Sequence, residues 1–495
     1  MDRDYPMLID GAQVVGDDGS GFAMVDPYED TAWGRAYRGT AMHVDRAVAA
    51  ARRALEEGEW ARATPADRSR LLRALADLVD RNATELTFAQ IHENGKLIGE
   101  MSAGVAGLAM HARYVADLVD SRHDVPVDTG MPKLSATLTH GPVGVVAAVT
   151  PWNSPLTLLA WKLLPALGAG CTVVVKPSEV TPTSTLLLAQ LCLEAGYPPG
   201  VVNVVTGFGT PTAQHLVEHP GVDKIAFTGS TRTGQTVMQA AAGGLKRLTL
   251  ELGGKSPQIV LKDCDLDRTV HGVMSGVFAA TGQTCLAGSR VIVEDAIYDD
   301  FVARLGAAAS ALTMGDPLDP GVDVGPLANR RQLATVLEYI EVGRAEGAVV
   351  AAGGRRAAGT PELERGYFVE PTVFADVNPC TRISREEIFG PVVTVSRCAS
   401  EAEAVAMAND TEFGLAAGVW TEDAQAAARV TERVRAGTVW VNTYRVVHYA
   451  VPFGGVGMSG LGRELGADAL AAYSEVKSVW TDHGNPQTFG RGQGT

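Results

Sequence analysis

The stretch Val143-Gly144-Val145-Val146-Ala147-Ala148-Val149-Thr150 is the first of five short runs that are rich in apolar and β-branched residues. Each run is followed by a turn and a segment of helical pattern, and the other four span residues 172–176, 201–205, 224–228 and 248–251. Polar and apolar residues do not alternate along these runs, which is typical of strands covered on both faces. Strands of this kind that are linked by helices predict a parallel, doubly wound α/β domain.

A second α/β series extends from residue 257 to about residue 442. Its strand candidates are residues 290–293, 369–374, 392–396 and 438–441, and the same argument predicts a second doubly wound domain. Ahead of both series, residues 26–122 are mostly helical in pattern, with Thr64 and Pro65 as the N-cap and first residue of one helix.

Residues 133–140 differ from the other strand candidates because polar and apolar side chains alternate strictly. Alternation indicates a half-exposed strand, so we interpret this segment as an edge or interface strand. The last residues, 481–495, are rich in glycine and polar residues and are expected to form a frayed tail.

Composition and charge argue against several classes of function. The chain has 495 residues, with 42 Lys and Arg against 57 Asp and Glu, for a net charge of −15. This charge opposes binding to phosphate backbones, so neither nucleic acid nor a membrane surface is an expected partner. The sequence has no apolar run of membrane-spanning length and no secretory pattern at its start, which predicts a cytoplasmic protein. The six cysteines form no C-x-x-C pair, so neither a disulfide framework nor a thiolate zinc site is expected.

Two glycine clusters are candidates for binding phosphate. Residues 229–234 (GSTRTG) follow a strand candidate and open a helical segment, where backbone N–H groups and a helix N-terminus can hold a pyrophosphate. Residues 455–460 (GVGMSG) satisfy the G-x-G-x-x-G pattern but follow a proline-containing loop, which makes them the weaker candidate. A tight turn without a ligand is the simpler explanation of either cluster when it is considered alone.

His215 and His219 have the H-x-x-E-H spacing of one class of zinc peptidases. Pro220 and Gly221 end the helix directly afterwards, and no downstream carboxylate is an obvious third ligand. We therefore predict no metal site.

Cys285 and Glu251 are candidate catalytic residues. Cys285 lies among small residues after an apolar helical segment, where a backbone N–H could face an adduct of the thiol. Glu251 ends a strand candidate, so it is either a base at the carboxyl edge of the sheet or a surface carboxylate. Cys171 and Cys192 have apolar neighbours and are predicted to be core residues.

Eight short segments, in order along nearly the whole chain, together resemble the motifs of the aldehyde dehydrogenase superfamily. They are residues 151–153 (PWN), 176–179 (KPSE), 227–230 (FTGS), 251–256 (ELGGKS), 282–285 (GQTC), 387–391 (EIFGP), 440–442 (WVN) and 452–455 (PFGG). The resemblance is to NAD(P)-dependent enzymes that do not transfer the acyl group to coenzyme A.

The resemblance implies two doubly wound domains and a β-strand arm. A Rossmann-like NAD-binding domain would comprise residues 1–122 and 142–253, with residues 449–469 returning to it. A catalytic thiol domain would comprise residues 254–448. Residues 123–141 and 470–489 would form an oligomerisation segment.

The resemblance also implies oxidation of an aldehyde to a carboxylic acid by hydride transfer. The Cys285 thiolate would attack the carbonyl carbon, and the Asn153 amide with the backbone N–H of Cys285 would meet the oxyanion. Glu251 would then activate water to hydrolyse the thioester, and its presence argues against coenzyme A as the acceptor. Lys162 and Glu464 match positions that assist proton movement in relatives.

The residues expected to bind the cofactor are carried over from the same motifs. They are Lys176 and Glu179 for the adenosine ribose, Trp152 and Ser230 for the pyrophosphate, Glu387 and Phe389 for the nicotinamide end, and Gly209, Gly229 and Leu252 as further contacts. A carboxylate at Glu179 can accept hydrogen bonds from a ribose 2′-hydroxyl and would repel a 2′-phosphate, which favours NAD. NADP is the alternative, because relatives with the same run can turn the acid aside and let the lysine meet a phosphate.

The sequence defines the aldehyde substrate less closely than it defines the cofactor. Ser154 stands where many relatives carry phenylalanine, so we expect a wider channel. With Trp161, Tyr444 and Phe453 as its lining, a hydrophobic or aromatic aldehyde is the first interpretation. Arg445 either holds the distal carboxylate of a semialdehyde or points to solvent.

Two functions of other classes stay open, and one form of assembly is expected. Cys285, Glu251 and Asn153 could serve a cofactor-free thiol esterase, and a non-catalytic protein could retain the fold. Relatives of this type form homodimers or homotetramers by adding a strand near residues 134–138 to a neighbour's sheet, with residues 473–480 in the interface. We expect the same here.

Overall fold

The computed structural model of the chain describes residues 3–16, 19–131 and 133–484. Its strands, numbered in chain order, are β1 (Asp4–Tyr5), β2 (Met7–Ile9), β3 (Ala12–Val14), β4 (Gly21–Asp26), β5 (Thr31–Tyr37), β6 (Val125–Val127), β7 (Leu134–Pro142), β8 (Val145–Val149), β9 (Thr172–Lys176), β10 (Val202–Val204), β11 (Lys224–Thr228), β12 (Arg247–Glu251), β13 (Pro257–Val260), β14 (Arg290–Glu294), β15 (Val349–Ala352), β16 (Thr372–Ala375), β17 (Val392–Cys398), β18 (Ala416–Trp420), β19 (Thr438–Val441), β20 (Gly460–Leu461) and β21 (Ser474–Asp482).

The α-helices are α1 (Ala41–Glu56), α2 (Pro65–Arg81), α3 (Ala83–Asn94), α4 (Ile98–Ser121), α5 (Pro155–Ala169), α6 (Thr183–Glu194), α7 (Gln214–Glu218), α8 (Thr231–Ala242), α9 (Leu266–Phe278), α10 (Tyr298–Ser310), α11 (Arg330–Ala345), α12 (Pro361–Arg365), α13 (Arg382–Arg385), α14 (Glu401–Asn409), α15 (Ala424–Arg433) and α16 (Asp468–Ala471). Short 3-10 turns occur at Trp60–Arg62, Ala279–Gly282, Asp295–Ile297 and Gly457–Ser459, and a π-type turn at Gly209–Ala213. Within the described ranges, none of the helices combines the length and the apolar character that crossing a bilayer requires.

The first large sheet has the strand order β20-β12-β11-β8-β9-β10-β2-β3. The central strands from β12 to β10 are parallel, and they are the five strands expected from the apolar runs. The chain proceeds outward from β8 through β9 to β10, then returns to β11 and β12 on the other side. This reversal confirms a doubly wound, Rossmann-like sheet, in which ligands bind at the carboxyl ends of the strands beside the reversal, here β8 and β11.

Helices cover both faces of this sheet, which explains why its strands show no polar alternation. On one face the strands pack against α2, α4, α5 and α6 through residues such as Val146 and Val173. On the other face Val145 and Val174 pack against α1, α7 and α8. Both faces are therefore buried, as a parallel sheet requires.

The second large sheet, ordered β15-β16-β17-β14-β13-β18-β19, confirms the second α/β unit. All its described strands are parallel except β15, which pairs antiparallel with β16. The predicted strands correspond to β14, β16, β17 and β19, whereas β13, β15 and β18 were not predicted. The predicted start of β16 at residue 369 is early, because Val369 makes an isolated bridge with Arg356 before the strand begins. The domain boundaries inferred from the resemblance stay predictions.

Residues 26–122 are not helical from their start. β4 ends at Asp26, and β5 pairs antiparallel with β4 and parallel with β1, so a small sheet precedes α1. Helices α1 to α4 then occupy most of the segment, as expected. The start of α2 agrees with its prediction, since the Thr64 side chain accepts the N–H of Asp67 and Pro65 is the first helical residue.

A further three-stranded sheet, ordered β21-β7-β6, is antiparallel and contradicts the prediction of an edge strand at residues 133–140, whereas the interface stays a prediction. β7 is the central strand of this sheet and not an edge, because β21 pairs along its whole length and β6 pairs on the other side. The edge strands of this sheet are β6 and β21, and along β21 the side chains of Val476, Val479 and Trp480 are exposed. β21 extends to Asp482, so the chain is still a strand where the frayed tail was expected to begin. Residues 485–495, which include the end of the expected oligomerisation segment, lie outside the described residues.

Candidate active site

A cleft with a volume of about 1370 Å³ opens at the carboxyl ends of β8 and β11, where the strand order reverses. Its lining contains every residue expected to bind the cofactor and three of the expected catalytic residues. They are Trp152, Lys176, Glu179, Gly209, Gly229, Ser230, Leu252, Glu387 and Phe389 from the first set, and Asn153, Glu251 and Cys285 from the second. The fold thus brings together residues that lie far apart in the sequence.

Cys285 follows a strained turn, Ala279–Gly282, at the end of α9. Ala280 and Thr281 of this turn have φ values of 56° and 53°. A Cβ on Gly282 would lie 2.0 Å from the carbonyl oxygen of Gly390. Only glycine therefore fits at position 282. The buried side chain of Gln283 accepts the backbone N–H of Ala328 and so connects the cysteine loop to a distant segment. The half-buried thiol is thereby fixed in the wall of the cleft.

The Cys285 thiol is protonated in this state. Burial, followed by the carboxylates of Glu251 and Glu387, raises the pKa of Cys285 to about 12. The backbone N–H groups of Cys285 and Leu286 act in the opposite direction but do not outweigh burial. Since the thiolate is the attacking form, a base must take the proton before the sulfur can react.

Glu251 is a buried carboxyl group at the end of β12. It is 3% exposed, and neither of its carboxylate oxygens has a hydrogen-bond partner among the described residues. Burial and then repulsion from Glu464 raise the pKa of Glu251 well above its usual value, while Lys162 and Arg463 act to lower it. Gly454 makes room for the group, because a Cβ there would lie 2.7 Å from Glu251 Oε1. A raised pKa suits a general base at neutral pH.

Lys162 and Glu464 lie behind Glu251 and do not line the cleft. Lys162 Nζ donates to Glu464 Oε1 and to Thr228 Oγ1, in each case at 2.6 Å, and both charged side chains are buried. Their charges act on Glu251 in opposite directions. Such an ion pair can compensate charge or transfer a proton, but it does not contact a molecule bound in the cleft.

The buried side chain of Asn153 connects the end of β8 to the cysteine loop. Its Nδ2 donates to the carbonyl of Gln283 at 3.1 Å, two residues before Cys285. A side-chain amide has a second N–H, which stays available for another acceptor. The amide is therefore directed at the loop of the thiol, as an oxyanion donor should be.

The middle of the cleft has features that suit a pyrophosphate and a ribose. Ser230 is the N-cap of α8 and accepts the N–H of Thr233 at 3.3 Å, so a helix N-terminus opens into the cleft. Further along, Lys176 Nζ lies 3.6 Å from Glu179 Oε2. Lys176 is buried, whereas the Glu179 side chain is 41% exposed and can accept hydrogen bonds from hydroxyl groups.

The end of the cleft near the thiol combines a carboxyl group with aromatic rings. Glu387 Oε1 accepts the N–H of Gly254 at 3.2 Å, and burial raises the pKa of Glu387 to about 7. A Cβ on Gly253 would lie 2.1 Å from Glu387 Oε2, so glycine permits this close approach. The rings of Trp152 and Phe389 meet edge to face, with centroids 5.3 Å apart. Together with the helix N-terminus, these groups fit an elongated dinucleotide.

The five residues expected to bind the aldehyde do not line this cleft. Trp161, Tyr444 and Phe453 instead pack in one apolar cluster with Cys285. The rings of Trp161 and Phe453 lie 5.3 Å apart, and the Tyr444 hydroxyl donates to the carbonyl of Leu286 at 3.0 Å. Aromatic side chains therefore surround the thiol on a side other than the cofactor cleft.

Ser154 and Arg445 bring polar groups to the aldehyde side. Ser154 Oγ accepts a hydrogen bond from Lys96 Nζ at 3.0 Å. Arg445 is half-buried with φ of 64°, and its Nη1 donates to the carbonyl of Ser275 at 3.4 Å. Burial lowers the pKa of Arg445, whereas the acidic groups of Glu100, Tyr444 and Cys285 act to raise it. Arg445 is thus close enough to influence the thiol electrostatically.

Lys96 and Glu100 also lie near the thiol, although neither was predicted from the sequence. Lys96 is 4% exposed, and burial lowers its pKa to about 8 against attraction from Glu100. Glu100 accepts the N–H of Ala280 at 2.6 Å through one carboxylate oxygen, and the other has no partner. Gly95, which ends α3 in the left-handed conformation, is the local signal that marks this turn.

His215 and His219 form a hydrogen-bonded cluster with Asp45 of α1. Their Nε2 atoms lie 2.6 and 3.3 Å from Asp45 Oδ1, so α1 supplies a carboxylate that the sequence pattern did not reveal. His219 Nδ1 accepts the N–H of Gly221 at 3.0 Å, so the neutral ring carries its proton on Nε2. A protonated Nε2 has no lone pair for a metal, and the cluster is explained as a link between α1 and the end of α7.

Comparisons with known proteins agree with the fold and the cleft. The model of the aldehyde dehydrogenase family matches residues 14–479. The chain is similar to an aldehyde dehydrogenase of Aspergillus niger, with 45% identity over 96% of this chain and 94% of that protein. It is also similar to a betaine aldehyde dehydrogenase of Bacillus subtilis, with 40% identity over 96% of each chain.

Two similar solved structures contain NAD+. One is an aldehyde dehydrogenase from Bacillus cereus, with a TM-score of 0.94, 42% identity and 97% coverage of each chain. The other is a betaine aldehyde dehydrogenase from Staphylococcus aureus, with a TM-score of 0.96 and 35% identity, covering 99% of this chain and 97% of that chain. The chain is therefore an oxidoreductase that acts on aldehydes with a nicotinamide dinucleotide, and it belongs to the aldehyde dehydrogenase family.

Proposed function

We propose that the protein oxidises a hydrophobic or aromatic aldehyde to the carboxylic acid with NAD, through a thiohemiacetal and then a thioester on Cys285. The observation that carries this proposal is the convergence of Cys285, Asn153 and Glu251 in the wall of one cleft. That cleft also contains a helix N-terminus and a ribose-binding carboxylate, which fit a dinucleotide.

In the first half-reaction the proton of Cys285 passes to Glu251, and the sulfur bonds to the carbonyl carbon of the aldehyde. The carbonyl oxygen becomes an oxyanion that accepts hydrogen bonds from Asn153 Nδ2 and the backbone N–H of Cys285. A donor placed in this way is worth about 3 kcal/mol in the barrier. When bound, NAD supplies the hydride acceptor that converts the thiohemiacetal to a thioester.

In the second half-reaction water hydrolyses the thioester. Glu251 first releases the proton that it received from Cys285 and then takes one from the water, the water oxygen bonds to the acyl carbon, and the C–S bond breaks with its electron pair returning to Cys285. Glu464, in its ion pair with Lys162, lies behind Glu251, where its carboxylate can receive these protons. The burial that raises the pKa of Glu251 makes it a stronger base than an exposed glutamate.

NAD is the proposed cofactor in preference to NADP. Glu179 has an exposed carboxylate in the ribose part of the cleft, and this charge would repel a 2′-phosphate. Lys176 is paired with Glu179 and is buried, so its charge is partly neutralised before any phosphate arrives.

The apolar cluster of Trp161, Tyr444 and Phe453 around Cys285 supports a hydrophobic or aromatic aldehyde. Arg445 supports a second candidate, a semialdehyde whose distal carboxylate it would bind, because its half-buried guanidinium is a cation on the aldehyde side, near Cys285. Two of the similar proteins are named betaine aldehyde dehydrogenases. We expect betaine aldehyde to be a poor substrate here, since its quaternary ammonium would meet the positive charges of Lys96 and Arg445.

A panel of aldehydes assayed with both dinucleotides tests the proposal. Benzaldehyde, hexanal, betaine aldehyde and the pair butanal and 4-oxobutanoate would be compared by absorbance of the reduced nicotinamide. We expect the highest kcat/KM for benzaldehyde or hexanal with NAD. A clear preference for 4-oxobutanoate over butanal that is lost in Arg445→Gln would establish the semialdehyde function instead. Absence of reduced nicotinamide with every aldehyde would leave a thiol esterase or a non-catalytic protein.

We also propose a homodimer or homotetramer. The free edge of β21 exposes Val479 and Trp480, and an unpaired strand edge of this kind is suited to pairing with another chain. Measurement of the mass in solution at micromolar concentration tests this, and a monomer would contradict it.

A further inference from the structure

The turn between α3 and α4, residues 94–97, packs against the loop that carries Asn153. Gly95 has a φ of 72°, a left-handed conformation that lets the chain reverse here. On either side of it, Asn94 and Lys96 are buried, with exposed fractions of 0% and 4%. Buried polar side chains are normally hydrogen-bonded, so the partners of these two indicate what the turn holds in place.

The two side chains hold the chain on both sides of Asn153. Before it, the carbonyl of Trp152 accepts a hydrogen bond from Asn94 Nδ2 at 3.4 Å. After it, Ser154 Oγ accepts a hydrogen bond from Lys96 Nζ at 3.0 Å. The two donors are joined to each other, because the Lys96 N–H donates to Asn94 Oδ1 at 3.1 Å. The expected oxyanion donor therefore lies between two anchored neighbours.

The backbone of this loop has little support of its own. Residues 150–154 connect the end of β8 to the start of α5 and belong to neither element. In the part of the chain that the structure describes, no hydrogen bond between backbone groups involves Trp152 or Asn153. Side chains of the turn therefore supply the anchoring that the backbone lacks.

The start of α4 also contacts the segment that precedes Cys285. Glu100 lies in the first turn of α4, and its Oε1 accepts the N–H of Ala280 at 2.6 Å. The α3–α4 turn and the beginning of α4 therefore connect the loop of Asn153 to the turn before the thiol. Such a connection can set the distance between the Asn153 amide and the sulfur.

This distance is important because the oxyanion forms on the carbon that is bonded to sulfur. A donor stabilises it only when the donor lies about 2.7–3.1 Å from the place that the oxygen will occupy. A displacement of about 1 Å can cost on the order of 10² in rate. Residues that fix the backbone of the donor therefore influence the barrier without contacting the substrate.

Lys96 carries a charge as well as a hydrogen bond, and the two effects can be distinguished. Among the described residues, Ser154 is the hydrogen-bond acceptor of its Nζ, and Lys96 forms no ion pair. Glu100 favours the charged form of Lys96 and Arg445 opposes it. A hydrogen bond that positions the backbone acts only through the neighbouring amide, whereas a charge would act on the thiol directly.

We propose that Lys96 is a positioning residue for the oxyanion donor: its hydrogen bond to Ser154 holds the amide of Asn153 where the oxyanion forms. Asn94 acts in the same way from the other side, through Trp152. This inference rests on the proposed function. In the step that it serves, the sulfur bonds to the carbonyl carbon, the π electron pair moves to the oxygen, and that oxygen accepts the amide N–H.

The test compares Lys96→Met, which removes the donor at similar volume, with Ser154→Ala, which removes the acceptor and keeps the charge. Lys262→Met is the matched control, because the Lys262 side chain is 66% exposed. One readout is the burst of 4-nitrophenolate from 4-nitrophenyl acetate without NAD, since acylation of Cys285 passes through the same oxyanion. The other is hydride transfer in the first turnover with benzaldehyde and NAD.

We expect both rates to fall about tenfold in Lys96→Met and in Ser154→Ala, because the amide loses its alignment. The KM for NAD should change by less than about twofold, and Lys262→Met should keep the wild-type rates. If Lys96 acts through the amide, Lys96→Met/Asn153→Ala should react no more slowly than Asn153→Ala. A lysine that only stabilises the fold would lower the melting temperature without this non-additivity.

The proposal is overturned if Lys96→Met leaves both rates unchanged, or slows them equally with and without the Asn153 amide. It is also overturned if Ser154→Ala reacts like the wild type, because Lys96 would then act through its charge. Should Lys96→Met fail to fold, Ser154→Ala and Ser154→Ala/Asn153→Ala decide by the same comparison. Hydride transfer in the wild type tests the proposed function, whereas acylation without NAD tests Lys96 separately, so the two failures can be told apart.

Discussion

On the cofactor side of Cys285 the wall consists of strand ends, glycine turns and a helix N-terminus, which open into a cleft of about 1370 Å³. On the aldehyde side it consists of packed aromatic rings and of the charges of Lys96, Glu100 and Arg445. The first wall is made mainly of backbone features that short contiguous motifs encode. The second is assembled from side chains of separate helices and a loop. This difference supports the proposal that the fold defines the cofactor site and that individual side chains define the choice of aldehyde.

Asn153 lies between the two sides, and its loss should have the largest effect. We expect Asn153→Ala to slow hydride transfer in the first turnover by roughly 10² to 10³, because the oxyanion loses one of its two donors. The loss should be similar for every aldehyde in the panel, with little change in NAD binding. A loss confined to one aldehyde would mean that Asn153 belongs to the aldehyde side only.

Gly253 belongs to the cofactor side alone. An added Cβ would lie 2.1 Å from Glu387 Oε2 and push that carboxyl group away. We expect Gly253→Ala to raise the KM for NAD about tenfold while the KM for the aldehyde stays near the wild-type value. Gly243→Ala is the matched control, since a Cβ there has nothing within 4 Å. Equal changes in both KM values would show that the two sides are not independent.

Ser154 belongs to the aldehyde side alone. Ser154→Phe would place a ring beside Cys285 and remove the acceptor of Lys96. We expect kcat/KM for benzaldehyde to fall about fivefold and that for acetaldehyde to fall less, with an unchanged KM for NAD. Ser154→Ala separates the effect of the ring from the loss of the hydroxyl. An unchanged ratio of kcat/KM between the two aldehydes would show that Ser154 does not line the aldehyde channel.

Glu387 makes the cofactor side sensitive to pH, with the smallest expected effect. Its pKa is raised to about 7 by burial, so the carboxylate fraction increases between pH 6 and 8. An ionised carboxylate is the better acceptor for ribose hydroxyls, and the KM for NAD should fall about threefold over this range. Glu387→Gln should flatten the dependence. The same slope in both proteins would assign the titration to another group.

The sequence predicted β8 to β12 because a strand buried on both faces is a local pattern of apolar residues. It did not predict that β7 is a central strand, because alternation of polar and apolar residues indicates the exposure of one strand and gives no information about its partner strands. Thr139 of β7 hydrogen-bonds Lys477, which lies 338 residues along the chain. The contacts of Lys96 and Lys224 could not be predicted for the same reason. These lysines contact residues distant in sequence, Ser154 for Lys96 and Tyr473 for Lys224.

The central claim is that the sulfur of Cys285 carries the acyl group of the substrate. Its most direct test is rapid-quench mass spectrometry of the protein during the first turnover with NAD and benzaldehyde, with Cys285→Ala as the control. The account predicts one equivalent of reduced nicotinamide and a transient benzoyl group on the peptide that contains Cys285, and neither of them in Cys285→Ala. Reduced nicotinamide without that adduct, or full turnover by Cys285→Ala, would contradict it.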